Sequence, residues 1–120
     1  MMRLILVAML FFVAGCAGDD KKALPDNAIA EVNIDGKELF KSCASCHKPD
    51  KDFTGPALKG SLKRWNGDKK AMYAFIRNPS KSYVENAYAK KLLKKWKSQM
   101  TAFANLTDAE IDAIMKYCEK

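Results

Sequence analysis

The chain of 120 residues contains a single histidine, His47. No second imidazole is therefore available as an acid–base partner across a site from it. No stretch alternates apolar and polar residues convincingly over strand length, which argues against a sheet. The apolar run Leu4 to Val13 has ten residues, about half of what crosses a bilayer. There is no internal repeat and no low-complexity segment. Acidic residues are the minority, 14 against 21 lysines and arginines, for a formal net charge of +7. Such an excess suits an acidic protein partner or an anionic membrane. Nucleic acid fits poorly, because the lysines are spread over several segments and the chain reads as exported.

What is present begins at the N-terminus. Met1-Met2-Arg3 is a positive start, Leu4 to Val13 is an apolar core, and Val13-Ala14-Gly15-Cys16 follows. This is the order of a secretory signal, and its end resembles the bacterial lipobox, cut before a cysteine that takes lipid. Residues 1–15 are accordingly read as a lipoprotein signal peptide. Cys16 is the expected lipidation site, with two or more acyl chains needed for stable anchoring. Loss of residues 1–15 removes only Arg3 among the charges and leaves a net +6. Residues 16–34 read as the lipidated N-terminus and a flexible tether, polar and charged at the start, with Pro25 and no sustained period. A tether of this length spans about 20–25 Å on average and about 60 Å when stretched.

Residues 35–120 read as one all-α domain. The spacing predicts a first helix from near Asp35 carrying Leu39, Phe40, Cys43 and His47. A loop with Pro49, Gly55, Pro56 and Gly60 follows. A second helix is expected over about Asp68–Arg77, stopping near Asn78-Pro79, and a third over about Glu85–Lys97 with Lys90, Lys91, Lys94, Lys95 and Lys97 outside its apolar stripe. The last follows Thr107, where Thr107-Asp108-Ala109-Glu110 has the form of a capping box. Its stripe is Ile111, Ile114, Met115 and Cys118. Eighty-six residues of helix make a small core, and a large apolar prosthetic group would enlarge it.

Cys43-Ala44-Ser45-Cys46-His47 is C-x-x-C-H, the attachment signature of c-type haem. Cysteines three apart on a helical turn present both sulfurs to one side, where each forms a thioether to a haem vinyl group, and the adjacent imidazole reaches the iron. A redox C-x-x-C would want a preceding strand and a βαβ setting. Zinc would require Cys43, Cys46, His47 and Cys118 on one metal, which is awkward for neighbours Cys46 and His47. A Cys43–Cys46 disulfide leaves His47 idle. For the sixth ligand, Met72 and Met115 fall on apolar helical stripes. Met100 sits in the irregular stretch before the last helix and is the expected ligand on the opposite face; the alternative is a five-coordinate iron with Met100 as loop packing. Cys118 reads as a buried, inert thiol, or else as a redox or intermolecular one.

From Gly36 to the C-terminus the chain resembles a class I cytochrome c domain. Gly36 and Phe40 resemble the glycine and aromatic of the family's N-terminal helix, and Tyr117 the aromatic of the C-terminal helix that crosses it. Thr54-Gly55-Pro56-Ala57-Leu58 resembles its proline loop, and Met100-Thr101-Ala102-Phe103 its methionine loop. The resemblance implies a fold of three to four helices wrapped around one covalently bound haem. It also implies a Pro56 carbonyl that accepts the Nδ1 proton of His47, and His47 and Met100 as iron ligands. Trp65 stands where a haem-propionate donor is expected, or fills the core. Two features depart from the pattern. Only Lys41 and Ser42 separate Phe40 from Cys43, so either Phe40 or Leu39 takes the helix contact. Thr101 replaces the proline that often follows the ligand methionine, which loosens that loop.

The expected protein is an electron carrier and no enzyme, shuttling single electrons between membrane-associated respiratory complexes. It would be exported, held by lipid at Cys16 and facing the periplasm, with redox partners that dock through acidic surfaces. The alternatives are a dedicated subunit of one reductase or oxidase, and a haem sensor or peroxidase-like protein with a displaceable sixth ligand.

Overall fold

The computed structural model describes residues 33–120. The signal peptide, Cys16 and most of the tether lie outside the described residues. Six helices, and no strand, are found among those described: α1 (Gly36–Phe40), α2 (Ser61–Arg64), α3 (Lys69–Arg77), α4 (Pro79–Glu85), α5 (Ala87–Trp96) and α6 (Asp108–Cys118). None is long and apolar enough to cross a membrane.

Side-chain caps set most of the helix starts. Asp35 accepts from the N–H groups of Lys37 and Glu38 at α1, and Asp68 from Ala71 at α3. Thr107 and Glu110 cap each other's backbone at α6. Asn78 closes α3 and also caps α4, accepting from Lys81, with Pro79 in the first turn. Proline is pre-shaped for that position, so the expected stop at Asn78-Pro79 is a corner between two helices. Asn86 does the same between α4 and α5. The expectation of three to four helices is thus corrected to six, with α2 and α4 added. The first helix is shorter than expected. It ends at Phe40, and the chain continues in turns closed by Cys43 N–H to Phe40 O (2.8 Å) and Cys46 N–H to Cys43 O (3.1 Å). These three-residue bonds are tighter than an α-helix and alternate with four-residue ones from Ala44 N–H to Phe40 O (3.0 Å) and His47 N–H to Cys43 O (2.9 Å), so Cys43 and His47 ride on mixed turns.

α1 and α6 cross at very close range. A Cβ built on Gly36 would lie 2.0 Å from the carbonyl oxygen of Ala113, so only glycine allows the approach. Phe40 is buried there, its ring centroid 5.4 Å from that of Tyr117. Phe40 rather than Leu39 takes the aromatic contact, and Leu39 packs partly buried beside it. α6 serves both apolar clusters of the domain. Ile111 joins Met72, Phe75, Ile76, Tyr83 and Ala89, while Ile114 and Cys118 join Phe40, Cys43 and Leu58. Full burial of an isoleucine contributes about 1.5–3 kcal/mol. A polar seam ties α3 to α6: the Tyr73 hydroxyl donates to Asp112 at 2.5 Å, Lys69 pairs with the same carboxylate, and Arg77 donates to Leu106 O at 2.7 Å and pairs with Asp108.

Candidate functional site

The turns after α1 bring Cys43, Cys46 and His47 to the wall of a cleft. Both thiols are free, Cys43 buried and Cys46 exposed. Burial pushes the Cys43 thiol up, against a smaller downward pull from Ser42, so it stays protonated and apolar. Cys118 is 1% exposed, and burial pushes it to about 11. That fits the inert thiol. No group of three or more histidine, cysteine or acidic side chains suited to a metal ion occurs among the described residues.

His47 is held from two directions. Its Nδ1 lies 2.7 Å from the carbonyl oxygen of Pro56. A carbonyl only accepts, so Nδ1 carries the proton and Nε2 keeps its lone pair for a metal. Gly55 also packs against the ring: a Cβ there would come 2.6 Å from Cε1 and 3.0 Å from Nδ1. The loop behind these contacts is pinned. Gly55 N–H donates to Cys46 O (2.8 Å), Leu58 N–H to Lys48 O (3.1 Å), and Ala57 N–H to the Asp52 carboxylate (3.0 Å). The last bond, aided by Lys95, holds Asp52 below the usual carboxylate range. Arg64 donates to Lys59 O at 2.8 Å and to Ala57 O.

The cleft has an outer and an inner lobe, with room for about 110 and 60 Å³ of solvent, that share part of their walls. Cys43, His47, Pro56, Phe75, Leu92 and Met100 line both, so the imidazole and the thioether reach the same space. Met72 and Met115 line the inner lobe. Met72 is buried and Met115 half-buried in the core, which suits packing for both. Trp65 also lines the inner lobe, its ring centroid 5.2 Å from that of Phe75 with the planes tilted by 45°, and edge-on at 4.9 Å to Tyr88.

Trp96 was not singled out from the sequence, where it reads as one more apolar position of α5. It lines the outer lobe, and its buried Nε1 has no partner among the described residues. A buried N–H without an acceptor costs about 1–3 kcal/mol, so the site is incomplete without a polar acceptor in the cleft. This atom, the two free thiols three residues apart, the oriented imidazole and the apolar two-lobed space fit covalent haem c, whose propionates are acceptors.

Comparison with known proteins agrees. The sequence model of the family "Cytochrome c" matches residues 34–120. A cytochrome c2 from Rhodopseudomonas palustris is 50% identical over 32 residues, 27% of this chain and 28% of that protein; the match thus spans well under a third of the relative's length. Among solved structures, a cytochrome c from Rhodothermus marinus superposes with a TM-score of 0.60 at 28% identity, covering 80% of this chain and 81% of that one. An engineered cytochrome c from Rhodothermus marinus gives 0.59 at 26%, covering 80% and 82%. With the C-x-x-C-H of Cys43, Cys46 and His47 at the wall of its cleft, the chain belongs to the cytochrome c family, as an all-α, class I monohaem member that binds haem c covalently.

Proposed function

We propose that this protein carries single electrons between membrane-associated respiratory complexes, with the haem iron held by His47 and Met100. The observation that carries the reading is that the oriented imidazole and the thioether line the same two lobes. Haem c supplies one reversible electron at its iron. This chain's residues fix the ligand tautomer (the Pro56 carbonyl on His47, with Gly55 leaving room for the ring), surround the group with apolar side chains, and offer N–H donors, with Trp96 and Trp65 as the candidates. Histidine–methionine ligation raises the potential and favours electron transfer over ligand chemistry.

The partner surface is the α5 side of the cleft. Lys90, Lys91, Lys94, Lys95 and Lys97 are exposed, and no acidic residue occurs between Glu85 and Asp108. Lys95 is paired with Asp52, and the remaining lysines make a positive patch that steers an acidic redox protein onto the mouth of the cleft. The lipobox-like run ending at Cys16 supports export and a lipid anchor, so that the haem domain works at a membrane surface facing the periplasm.

The test is spectroscopic. Holoprotein is examined for the red-edge charge-transfer band of methionine-bound ferric haem, and reduced holoprotein for carbon monoxide binding. The band present in the wild type and absent in Met100→Ala, with slow carbon monoxide binding only in the wild type, supports the reading. Rapid carbon monoxide binding by wild type, without the band, sinks it.

A further inference from the structure

The segment that joins α5 to α6 carries Met100 but has little of its own to hold it. It leaves α5 at Lys97, whose backbone sits at φ 52°, ψ 21°. That left-handed region is costly for a side chain such as lysine. It is caught again at Phe103, whose N–H donates to Ile76 O at 3.0 Å, near the end of α3. Between those points, one hydrogen bond fastens the segment among the described residues: Met100 N–H donates to the Tyr83 hydroxyl oxygen at 3.0 Å. Thr101 follows, with none of the stiffness of proline. Tyr83 itself is firmly set. It is buried on α4, and its ring meets Phe75 edge-on at 5.4 Å with an interplanar angle of 79°. Both line the outer lobe of the cleft.

We propose that Tyr83 is the positioning residue for Met100: by holding the main chain of that residue it sets how much of the time the thioether faces the iron. The inference rests on Met100 being the sixth ligand. The segment then has a latched state, in which the methionine occupies the iron, and an unlatched state, in which Lys97 and Phe103 act as hinges and the sixth position is open. Losing one uncharged hydrogen bond shifts such an equilibrium by about fivefold. An external ligand binds only the open state, so its apparent affinity changes by the same factor. A tyrosine that merely filled space would behave differently, because Tyr83→Phe keeps the ring against Phe75.

The experiment is a double-mutant cycle on ferric holoprotein, with imidazole as the external ligand: wild type, Tyr83→Phe, Met100→Ala, and both changes together. Tyr83→Phe is expected to bind imidazole about fivefold more tightly than wild type. Met100→Ala should bind more tightly still, and the double variant should match Met100→Ala. Tyr83→Phe indistinguishable from wild type, with Met100→Ala tighter, overturns the role of Tyr83 and leaves the ligation standing. A Tyr83→Phe effect of the same size in the Met100→Ala background overturns it too, since the hydroxyl would then act on the cleft directly. Met100→Ala identical to wild type overturns the ligation and the latch together.

Discussion

Gly55→Ala is the most direct perturbation of the histidine. Carbon atoms rest about 3.5–4.0 Å apart, and the added methyl would sit 2.6 Å from Cε1 of His47 and 3.2 Å from Nε2. Something must open by about 1 Å. The loop cannot retreat freely, because Gly55 donates to Cys46 O at 2.8 Å and accepts from Phe53 N–H at 2.9 Å. The ring is restrained by its 2.7 Å bond to Pro56. Overpacking of this kind costs about 1–3 kcal/mol. With a guanidinium slope of about 2–6 kcal/mol/M, the unfolding midpoint should fall by about half a molar. The assay is guanidinium unfolding of holoprotein followed at the haem absorbance, together with the absorption spectrum of the native state, where a displaced imidazole appears. Gly67→Ala is the comparison. Its φ of +76° makes alanine strained, but nothing lies within 4 Å of the new Cβ. It should cost about 1–2 kcal/mol through the backbone alone and leave the spectrum unchanged. A Gly55→Ala protein with the wild-type midpoint and an undisturbed spectrum would refute the claim that glycine is there to admit the imidazole.

Trp96→Phe removes the unpartnered indole N–H and keeps an apolar ring; if that N–H bonds a charged haem acceptor, holoprotein should lose about 1.5–3 kcal/mol in chemical unfolding, whereas equal or greater stability would show the atom idle. The Tyr73 hydroxyl, with a further contribution from Lys69, holds the Asp112 carboxyl below its ordinary range. A lowered folded-state value stabilises above the unfolded pKa of about 3.9 and is lost as pH falls through the folded one. The stability difference between wild type and Asp112→Asn should therefore be flat near neutrality and close below about pH 4, measured by denaturant titrations across pH. Lys91→Glu/Lys94→Glu should slow electron exchange with an acidic redox protein in stopped flow, and the gap to wild type should shrink as ionic strength rises above about 0.15 M; a gap independent of salt would move the docking surface elsewhere.

Much of this was legible because short-range chemistry declares itself. C-x-x-C-H is contiguous, Thr107 and Glu110 stand at the capping-box spacing, and Gly36, Phe40 and Tyr117 each sit at a position whose partner the family resemblance supplies. Other features were hidden by ambiguity in the same residues. Asn78-Pro79 reads equally as the end of one helix and the start of the next, and it serves as both, with the Asn78 side chain accepting from Lys81 N–H. α2 spans four residues, too few to carry a period. The continuation of the first helix to His47 failed because apolar spacing cannot distinguish a helix from successive tight turns. Trp96 and Tyr83 were invisible as site residues for a different reason. Each was singled out by one polar atom, the Tyr83 hydroxyl bonded to Met100 N–H and the Trp96 Nε1 left without a partner, whose surroundings only tertiary geometry sets.

The contact of Gly36 with Ala113 joins positions 77 apart in the sequence. That contact cannot form until α6, an eleven-residue helix, is present, whatever the earlier segments have managed by themselves. A chain made from its N-terminus therefore holds Cys43 uncovered until Ile114 and Cys118 of α6 arrive to pack against it.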